Sequence, residues 1–250
     1  MSKGVLIYCF DTSEVKYHKM AERCVAQIRR HLGLPITIVT DIKTFKRFQP
    51  MGMINYKIVD PMTTNTRSYR GKNIKWYNRE RVLAYDHSPY DKTILMDCDY
   101  FVFSDTLGTL LDTEFDVMVH DDIHDAGGND SIQGKDEASI PLVWATVTLF
   151  SKSKNTRMFF DALKVIQEHY VHYMNLYRIK YTNYRNDYAF AIAMHQLKVG
   201  NRIPSKMVML GQQARILGSD TSGLLYAENG SVNYVDGQDI HVMDKEWCNG

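Results

Sequence analysis

The feature that most constrains this chain is a short β-forming run that ends in two carboxylates. Residues 93–96 are apolar or β-forming, Asp97 and Asp99 follow, and a second such run covers residues 100–103. A run of this length between polar residues is typical of a buried strand rather than a helix. Because unpaired buried charge is costly, the carboxylates need a cation, a basic partner or the solvent-facing end of the strand. The pattern therefore predicts a buried strand with an acidic pair at its carboxyl end.

Two interpretations of this acidic pair are open. Carboxylates at a strand end suit Mg²⁺ or Mn²⁺, which take oxygen ligands and keep other positions open for phosphate. An Asp-x-Asp is also short and common, so Asp97 and Asp99 could equally be solvated side chains in a turn. The motif alone does not decide between a metal site and a turn.

The composition is that of an ordinary globular protein with one substantial core. The chain has 250 residues, of which 44% are hydrophobic and 24% charged, and its net charge is +1. Such a balance gives no overall electrostatic reason to expect nucleic acid or a membrane, so any basic site has to be local. We see neither a signal peptide nor an apolar run of membrane-spanning length, and the four cysteines lack paired spacing. We therefore expect a reduced, cytoplasmic compartment and no membrane partner.

The first 60 residues predict a strand, a helix and two further strands. Residues 4–10 form an apolar run typical of a strand that is covered on both faces. Asp11–Glu14 has the form of a capping box, which predicts that a helix begins there and ends at Gly33. Strands are expected at 36–40 and 56–59. This β-α-β order implies a parallel sheet with a ligand cleft at the carboxyl ends of its strands.

A locally basic segment precedes the acidic strand. Its six cations are Arg67, Arg70, Lys72, Lys75, Arg79 and Arg81, against the single acid Glu80. A helix through Ile74, Tyr77 and Ala84 is predicted to carry most of them. A solvated helix face is the ordinary interpretation of a charge run, but the position just before the acidic strand favours a role at a polyphosphate. The candidates for nucleotide binding are Arg70, Lys72, Lys75 and Arg79, together with Asp11 after the first strand.

Two strands and two helices are predicted in the second half, at 115–119, 141–150, 156–177 and 186–197. The last helix is expected to open with Asn186 and Asp187 as its cap. Between the strands, the segment from His120 to Asp130 combines histidine, aspartate and glycine. A solvated, substrate-facing loop is the preferred interpretation of that segment, ahead of a metal site.

A stripe of tyrosines recurs at helical spacing near these helices. It comprises Tyr170, Tyr173, Tyr177, Tyr181 and Tyr184, interleaved with basic residues. We interpret the stripe first as packing. The second interpretation is a stacking platform for sugar rings or exposed bases.

The order of these parts resembles the GT-A glycosyltransferases, especially the glycogenin and galactinol-synthase class. In that class a β-α-β unit is followed by a strand ending in Asp-x-Asp, an acceptor segment, an Asp-led helix, and a late histidine, lysine and tryptophan. The corresponding residues here are Asp97 and Asp99, Val143-Trp144-Ala145-Thr146, Asp187, and His241, Lys245 and Trp247. The resemblance spans most of the chain.

The resemblance implies a GT-A type α/β fold with a Rossmann-like, mostly parallel central sheet flanked by helices. Residues 1–250 would form a single domain, with a nucleotide-binding half at 1–110 and an acceptor half with a metal-binding tail at 111–250. The implied activity is metal-dependent transfer of a sugar from a nucleotide diphosphate donor, with UDP preferred, to a hydroxyl group with retention of configuration.

The resemblance also implies roles for particular residues. Asp97, Asp99 and His241 would hold Mn²⁺ or Mg²⁺, and Asp97 would also belong to the donor site. Lys245 would place a positive charge on the β-phosphate, and Asp187 would lie beside the transferring sugar.

The chain departs from the pattern of that class in three places. His241 and Lys245 lie two residues closer together than in glycogenin-like enzymes, Glu246 replaces the usual proline, and the acceptor segment lacks its usual Asn-x-Gly. The compact chain also resembles stand-alone glycosyltransferases of large tailed phages. The acceptor therefore stays open among a glycan, a small alcohol, a protein side chain and a hydroxymethylated base in phage DNA.

Two other functions are compatible with such a fold. A nucleotidyltransferase of related fold would usually carry a glycine-rich, basic loop after the first strand, where this chain has Asp11-Thr12-Ser13. A catalytically inactive nucleotide-sugar-binding module would not need Asp97, Asp99, His241 and Lys245 intact, all of which are present.

Overall fold

The computed structural model describes residues 1–61, 65–69, 72–77, 79–126, 138–180, 182–211, 215–216, 224–228, 231–235, 237–243 and 245. At 67–69, 72, 74, 215–216, 224–228 and 231–235 only the backbone is described. Arg70, Tyr181, Glu246, Trp247 and the 127–130 part of the glycine-rich segment lie outside these residues.

The strands of the described part, in chain order, are β1 (Lys3–Tyr8), β2 (Ile36–Thr40), β3 (Asn55–Ile58), β4 (Asn65–Tyr69), β5 (Lys72–Trp76), β6 (Lys92–Asp97), β7 (Tyr100–Phe101), β8 (Val117–His120), β9 (Ile123–Asp125), β10 (Trp144–Ser151), β11 (Asn201–Arg202), β12 (Met207–Leu210), β13 (Arg215–Ile216), β14 (Leu224–Glu228), β15 (Ser231–Val235) and β16 (Ile240–Val242). The helices are α1 (Tyr17–His31), α2 (Ile42–Phe45), α3 (Ala84–His87), α4 (Thr106–Leu110), α5 (Lys154–Glu168), α6 (Tyr170–Leu176) and α7 (Asn186–Leu197), and a 3₁₀ turn covers Glu80–Leu83.

A seven-stranded central sheet forms the core, in the order β11-β8-β10-β6-β1-β2-β3. Its neighbouring strands are parallel except around β10, which runs antiparallel to both β6 and β8. The mostly parallel α/β sheet and the opening β-α-β unit that the sequence predicts are confirmed.

The two faces of the sheet are covered by different helices. Val5 and Ile7 pack on one face against α1, where Met20, Cys24 and Ile28 are fully buried. Leu6 and Leu95 belong to the opposite face, which is covered by apolar residues of α5 and α7, including Phe159, Phe160 and Phe190. Side chains alternate between the faces of a strand, so the continuous apolar run of β1 reflects burial on both sides.

A second, four-stranded sheet brings the end of the chain beside the acidic strand. Its order is β7-β16-β12-β9, and His241 of β16 lies opposite Tyr100 of β7. The carboxylate of Asp239 accepts hydrogen bonds from the backbone amides of Phe103 and Ser104, at 2.9 and 3.0 Å. These contacts place the residues around His241 next to Asp99.

The first helix begins later than the capping box predicts. It begins at Tyr17, not at Asp11, because the Asp11 carboxylate bonds the backbone amide and ring of His18 and the guanidinium of Arg47. Met20 and Cys24 lie on the buried face of this helix.

The predicted basic helix is wrong, because residues 65–69 and 72–76 form the antiparallel strands β4 and β5. The 3₁₀ turn and the short helix α3 come only after them. Ile74 and Trp76 are β-branched and aromatic residues that favour strands, and Gly71 in the sequence between the strands is a turn former. The strand propensity of these residues therefore decided the local structure. The run of cations did not indicate a helix here.

The predicted helix at 156–177 is broken in two. α5 ends at Glu168 and α6 begins at Tyr170, with His169 between them at φ −108° and ψ 32°. Tyr170 and Tyr184 are buried, with ring centroids 5.3 Å apart and edge-to-face. Packing, the first interpretation of the tyrosine stripe, is confirmed for these two residues. Among the described residues no helix is both long enough and apolar enough to cross a membrane.

Candidate active site

The site lies in a pocket at the carboxyl ends of β1 and β6 and the amino end of β10. Its volume is about 390 Å³, and the predicted acidic pair lies in its lining. The aromatic residues that line it are Tyr8, Phe10, Tyr17, Trp76, Tyr77 and Trp144. A cleft at this edge of the sheet is where a doubly wound α/β fold binds its ligand, so the predicted position of the cleft is confirmed.

Asp97, Asp99 and His241 come together in this pocket. One potential ligand atom from each lies within 4.8 Å of the others, and Asp99 Oδ1 is 3.4 Å from His241 Nε2. This is the one grouping of three such side chains within the described ranges, so the described part of the His120–Asp125 segment does not form another. The predicted ligand set is therefore adjacent in space, although Asp99 and His241 are far apart in sequence.

Two buried cations already contact the two carboxylates. Lys245 Nζ donates to an Asp99 carboxylate oxygen and, at 2.9 Å, to the Val242 carbonyl. Arg81 donates to Asp97 and to the carbonyls of Ala145 and Thr146, the last at 3.4 Å. The buried cations balance the two carboxylates, so this part of the pocket carries no net charge.

The ionisation of Asp99 and Lys245 follows from their contact. Burial alone would raise the pKa of Asp99, but the charges of Lys245 and His241 outweigh it and hold that pKa well below its ordinary value. Burial alone would lower the pKa of Lys245, but the carboxylate of Asp99 raises it. Asp99 therefore stays ionised and Lys245 stays protonated at neutral pH.

The environment of Asp97 differs from that of Asp99. Burial raises the pKa of Asp97; Arg81 opposes the rise and the neighbouring charge of Asp99 adds to it. Its side chain is 38% exposed toward the pocket, compared with 10% for Asp99. Asp97 is thus the carboxylate of the pair that an incoming ligand can reach more easily.

The donor set fits a divalent cation. Two carboxylates and an imidazole are ligands that Mg²⁺ and Mn²⁺ accept. Asp99 Oδ1 is buried, and within the described residues its nearest polar neighbour is His241 Nε2 at 3.4 Å, without a well-aligned hydrogen bond, so it has a lone pair for a metal ion. A cation at this point would leave the site positive, which suits a diphosphate.

Trp144 and Thr146 both contact Nδ1 of the His241 ring and favour opposite tautomers. Trp144 Nε1 donates to His241 Nδ1 at 3.3 Å, which leaves the ring proton of the neutral imidazole on Nε2. Metal ligation through Nε2 requires the proton on Nδ1 instead. The Thr146 hydroxyl is 3.5 Å from Nδ1 and can accept that proton. Both residues belong to the acceptor segment that the sequence singled out, but neither was predicted to act on His241.

Asp187 does not cap its helix. Arg185 occupies the N-cap position of α7 without a side-chain cap bond. The Asp187 carboxylate accepts instead from the backbone amide of Ala145 at 2.9 Å and from Arg185 at 3.1 Å. The capping prediction is wrong because Asp187 bonds the start of β10 instead, and this contact holds it in the pocket lining.

Several predicted nucleotide-binding residues lie away from the acidic cluster. Lys75 is exposed on β5, and Arg79 donates to the Gln167 carbonyl at 3.3 Å; neither lines the pocket. The carboxylate of Asp11 bonds His18 and Arg47, whereas the adjacent Thr12 lines the pocket. Arg70 and the side chain of Lys72 lie outside the described residues.

Among the cations of the basic segment whose side chains the structure describes, Arg81 contacts the acidic pair. The sequence places it 16 residues before Asp97, among five other cations of similar appearance. Its burial distinguishes it from Lys75 and Arg79, the other cations of the segment whose side chains the structure describes. No local pattern reports that burial, because it depends on β10 packing over the guanidinium.

Neither a protein-family model nor a curated protein sequence matches this chain. Solved structures match it in fold. The galactosyltransferase LgtC in complex with donor and acceptor sugar analogs is 14% identical, with a TM-score of 0.50 over 76% of this chain and 70% of LgtC. An active-site mutant of LgtC has a TM-score of 0.51 at 13% identity, over 76% and 69% of the two chains. The apo form of mouse xyloside xylosyltransferase 1 has a TM-score of 0.49 at 10% identity, over 81% and 85%.

At such low identity the likeness to LgtC shows the fold alone. The central, mostly parallel sheet and its flanking helices match those of a GT-A fold, which confirms the predicted fold class.

Proposed function

We propose that this protein is a metal-dependent glycosyltransferase that moves a sugar from a nucleotide diphosphate to a hydroxyl acceptor. The observation that carries the proposal is the grouping of Asp97, Asp99 and His241 in the pocket of a GT-A fold. The structure of LgtC with donor and acceptor sugar analogs supports a pocket that serves both substrates.

The pocket offers complementary surfaces for the parts of such a donor. Its aromatic wall can pack against a base or a sugar ring. Mn²⁺ or Mg²⁺ held by Asp97, Asp99 and His241 would act as a Lewis acid on the diphosphate. UDP is the proposed nucleotide, because the class that the sequence resembles uses it.

The chain's own residues would orient these groups. Arg81 holds Asp97 against the backbone of β10, and Trp144 and Thr146 orient the ring of His241. Lys245 places a buried positive charge beside Asp99, where it would oppose the negative charge that develops on the leaving phosphate. Asp187 is held at the pocket wall by Ala145, where it could bind hydroxyl groups of the transferring sugar.

The proposal does not specify which kind of molecule carries the acceptor hydroxyl. It includes retention of configuration. The acceptor candidates are a glycan, a small alcohol, a protein side chain and a hydroxymethylated DNA base. Burial of Tyr170 and Tyr184 removes these two rings from any stacking platform for bases or sugars.

A thermal-shift panel of nucleotide sugars, each with and without Mn²⁺, tests the proposal. We expect a uridine diphosphate sugar to raise the melting temperature more in the presence of Mn²⁺ than in its absence, because binding to the folded state stabilises it. If no nucleotide sugar shifts the melting temperature under either condition, the proposed donor class is wrong.

A further inference from the structure

The two carboxylates that would bind a divalent cation already have partners within the chain. Arg81 donates to Asp97, and Lys245 donates to Asp99. Both cations are buried, at 4% and 5% exposure, so dissolved salt screens their charges little. The charge that would attract a free metal ion to this pair of carboxylates is therefore already balanced by the protein.

The third ligand, His241, is satisfied in a similar way. Trp144 Nε1 is only a donor, so its contact of 3.3 Å with His241 Nδ1 leaves the proton of the neutral ring on Nε2. Nε2 faces Asp99 Oδ1 at 3.4 Å. A metal ion on Nε2 would take the place of that proton, which would move to Nδ1 and deprive the indole N–H of its acceptor. Binding of a metal ion to His241 therefore costs a hydrogen bond.

The charges around the pocket also disfavour a divalent cation that arrives alone. Four carboxylates and three cations are found among the described residues of the lining, and Arg185 and Asp187 form one of the ion pairs, at 3.1 Å. A divalent cation alone would therefore leave a net positive charge in a partly buried site, which is costly. A nucleotide diphosphate brings the negative charge that offsets it.

We propose that the protein takes up its divalent cation together with the diphosphate and binds the free ion weakly, because Arg81, Lys245 and Trp144 satisfy the ligand groups from within the chain. The inference rests on the proposed function and adds an order of binding to it. Arg81, Lys245 and Trp144 are positioning residues in this account, since they act on the metal through the ligands that they contact. The coupling is reciprocal: the factor by which the nucleotide strengthens metal binding equals the factor by which the metal strengthens nucleotide binding.

Electron paramagnetic resonance of Mn²⁺ tests this order of binding without turnover, because the signal of the free aqueous ion falls when the ion is bound. Mn²⁺ is titrated into the full chain alone and with saturating UDP, and a titration into UDP without protein corrects for the metal that UDP itself binds. We expect UDP to strengthen the binding of Mn²⁺ to the protein at least about tenfold, because the diphosphate offsets the charge of the ion.

Removal of the buried lysine should have opposite effects on the metal and on the nucleotide. Lys245→Met removes a positive charge beside Asp99 and should strengthen binding of Mn²⁺ alone at least about tenfold, while it weakens binding of UDP. A lysine that merely supports the structure of the pocket would instead weaken both when it is replaced. Lys164→Met removes a cation from the surface carboxylates Asp86 and Asp161; it is the matched control and should bind Mn²⁺ as the parent does.

Trp144→Phe tests the histidine side and leaves every charge in place. It keeps an aromatic ring and removes the N–H that contacts His241, so it should strengthen binding of Mn²⁺ alone about two- to tenfold. Because Lys245→Met leaves Asp99 buried without its cation, melting curves check that this variant folds. Trp144→Phe tests the proposal by itself if Lys245→Met does not fold.

Three results would overturn the proposed order of binding. The first is that the parent binds Mn²⁺ alone as tightly as with UDP, which would leave the proposed function unaffected. The second is that neither Trp144→Phe nor folded Lys245→Met binds the free ion more tightly than the parent and Lys164→Met do. The third is that no protein binds Mn²⁺ with or without UDP, which would contradict the proposed metal-dependent activity as well.

Discussion

At the scale of single residues, the pocket is organised around carboxylates that have protein partners before any ligand arrives. Asp97 contacts Arg81, Asp99 contacts Lys245, and Asp187 contacts Ala145 and Arg185. Such contacts hold functional side chains in one orientation, so that little reorganisation is needed when a substrate binds. They also make each carboxylate part of the fold, so that a substitution can affect both stability and activity.

Asp187 allows these two effects to be separated. Asp187→Asn keeps an oxygen that can accept from the Ala145 amide and removes the negative charge. We expect its stability to stay within about 1 kcal/mol of the parent, since the hydrogen bond survives, while sugar transfer falls at least about tenfold if the charge acts on the sugar. Asp187→Ala should lose stability as well. Urea unfolding and a turnover assay on both variants measure the difference, and parent-like turnover by Asp187→Asn would leave Asp187 with a structural role only.

At the scale of elements, the tail that carries His241 is an internal part of a sheet. β16 lies between β7 and β12, and Asp239 accepts from the backbone of Phe103 and Ser104. Truncation before Asp239 would leave two strands with an open edge and remove these bonds. We therefore expect the truncated chain to lose cooperative unfolding in circular dichroism, in addition to losing activity.

Point variants keep the element and remove only its chemistry. His241→Asn should unfold cooperatively, because β16 still pairs through its backbone, and it should lose Mn²⁺-dependent binding. A truncated chain that unfolds as cooperatively as the parent would show that β16 contributes little to the fold.

The elements also show what the sequence could predict. The strands β1, β2 and β6 were predictable because a strand that is buried on both faces is a nearly continuous run of apolar or β-forming residues. The strands β4 and β5 were not, because their cations resembled a helix face. The start of α1 and the role of Asp187 were missed for a different reason. Asp11 bonds His18 in the first turn of α1 from outside the helix and also bonds Arg47, and Asp187 bonds the start of β10; no local pattern reports these contacts.

At the scale of the whole molecule, the site is assembled from segments at opposite ends of the chain. Asp99 and Lys245 are 146 residues apart in sequence, and the pairing of β7 with β16 brings them together. Resemblance to a family could propose this grouping in advance, but spacing alone could not. Arg81 and Trp144 were not among the predicted site residues because their contacts exist only in the folded protein.

The stability of the whole fold should depend on two histidines, the buried His120 and the half-buried His87. Burial lowers the pKa of His120 to about 4, and burial together with Lys57 lowers that of His87 to about 4. In the unfolded chain histidine titrates near 6.5, so between about pH 6.5 and about pH 4 the unfolded state binds protons that the folded state does not. The free energy of unfolding should therefore fall as the pH falls through this window, by roughly 2–3 kcal/mol for His120.

Urea unfolding across that pH window checks the dependence. His120→Asn keeps a donor for the Ser205 carbonyl, which contacts His120 Nδ1 at 3.0 Å, and removes the titrating group, so its stability should fall less steeply toward acid pH. His124→Asn, at an exposed position, is the matched control and should behave as the parent does. Identical pH dependence in both variants would exclude His120 as a source of acid lability.

The central claim is that Asp97, Asp99 and His241 hold a divalent cation that binds the diphosphate of a nucleotide sugar. Isothermal titration of UDP into the parent protein and into Asp99→Asn, each with and without Mn²⁺, tests it most directly, with Asp86→Asn as a control carboxylate in a surface ion pair. We expect Mn²⁺ to strengthen UDP binding at least about tenfold in the parent and in Asp86→Asn, because the cation balances the phosphate charge, and to have no effect in Asp99→Asn. Equal enhancement by Mn²⁺ in Asp99→Asn and in the parent would show that the metal binds elsewhere.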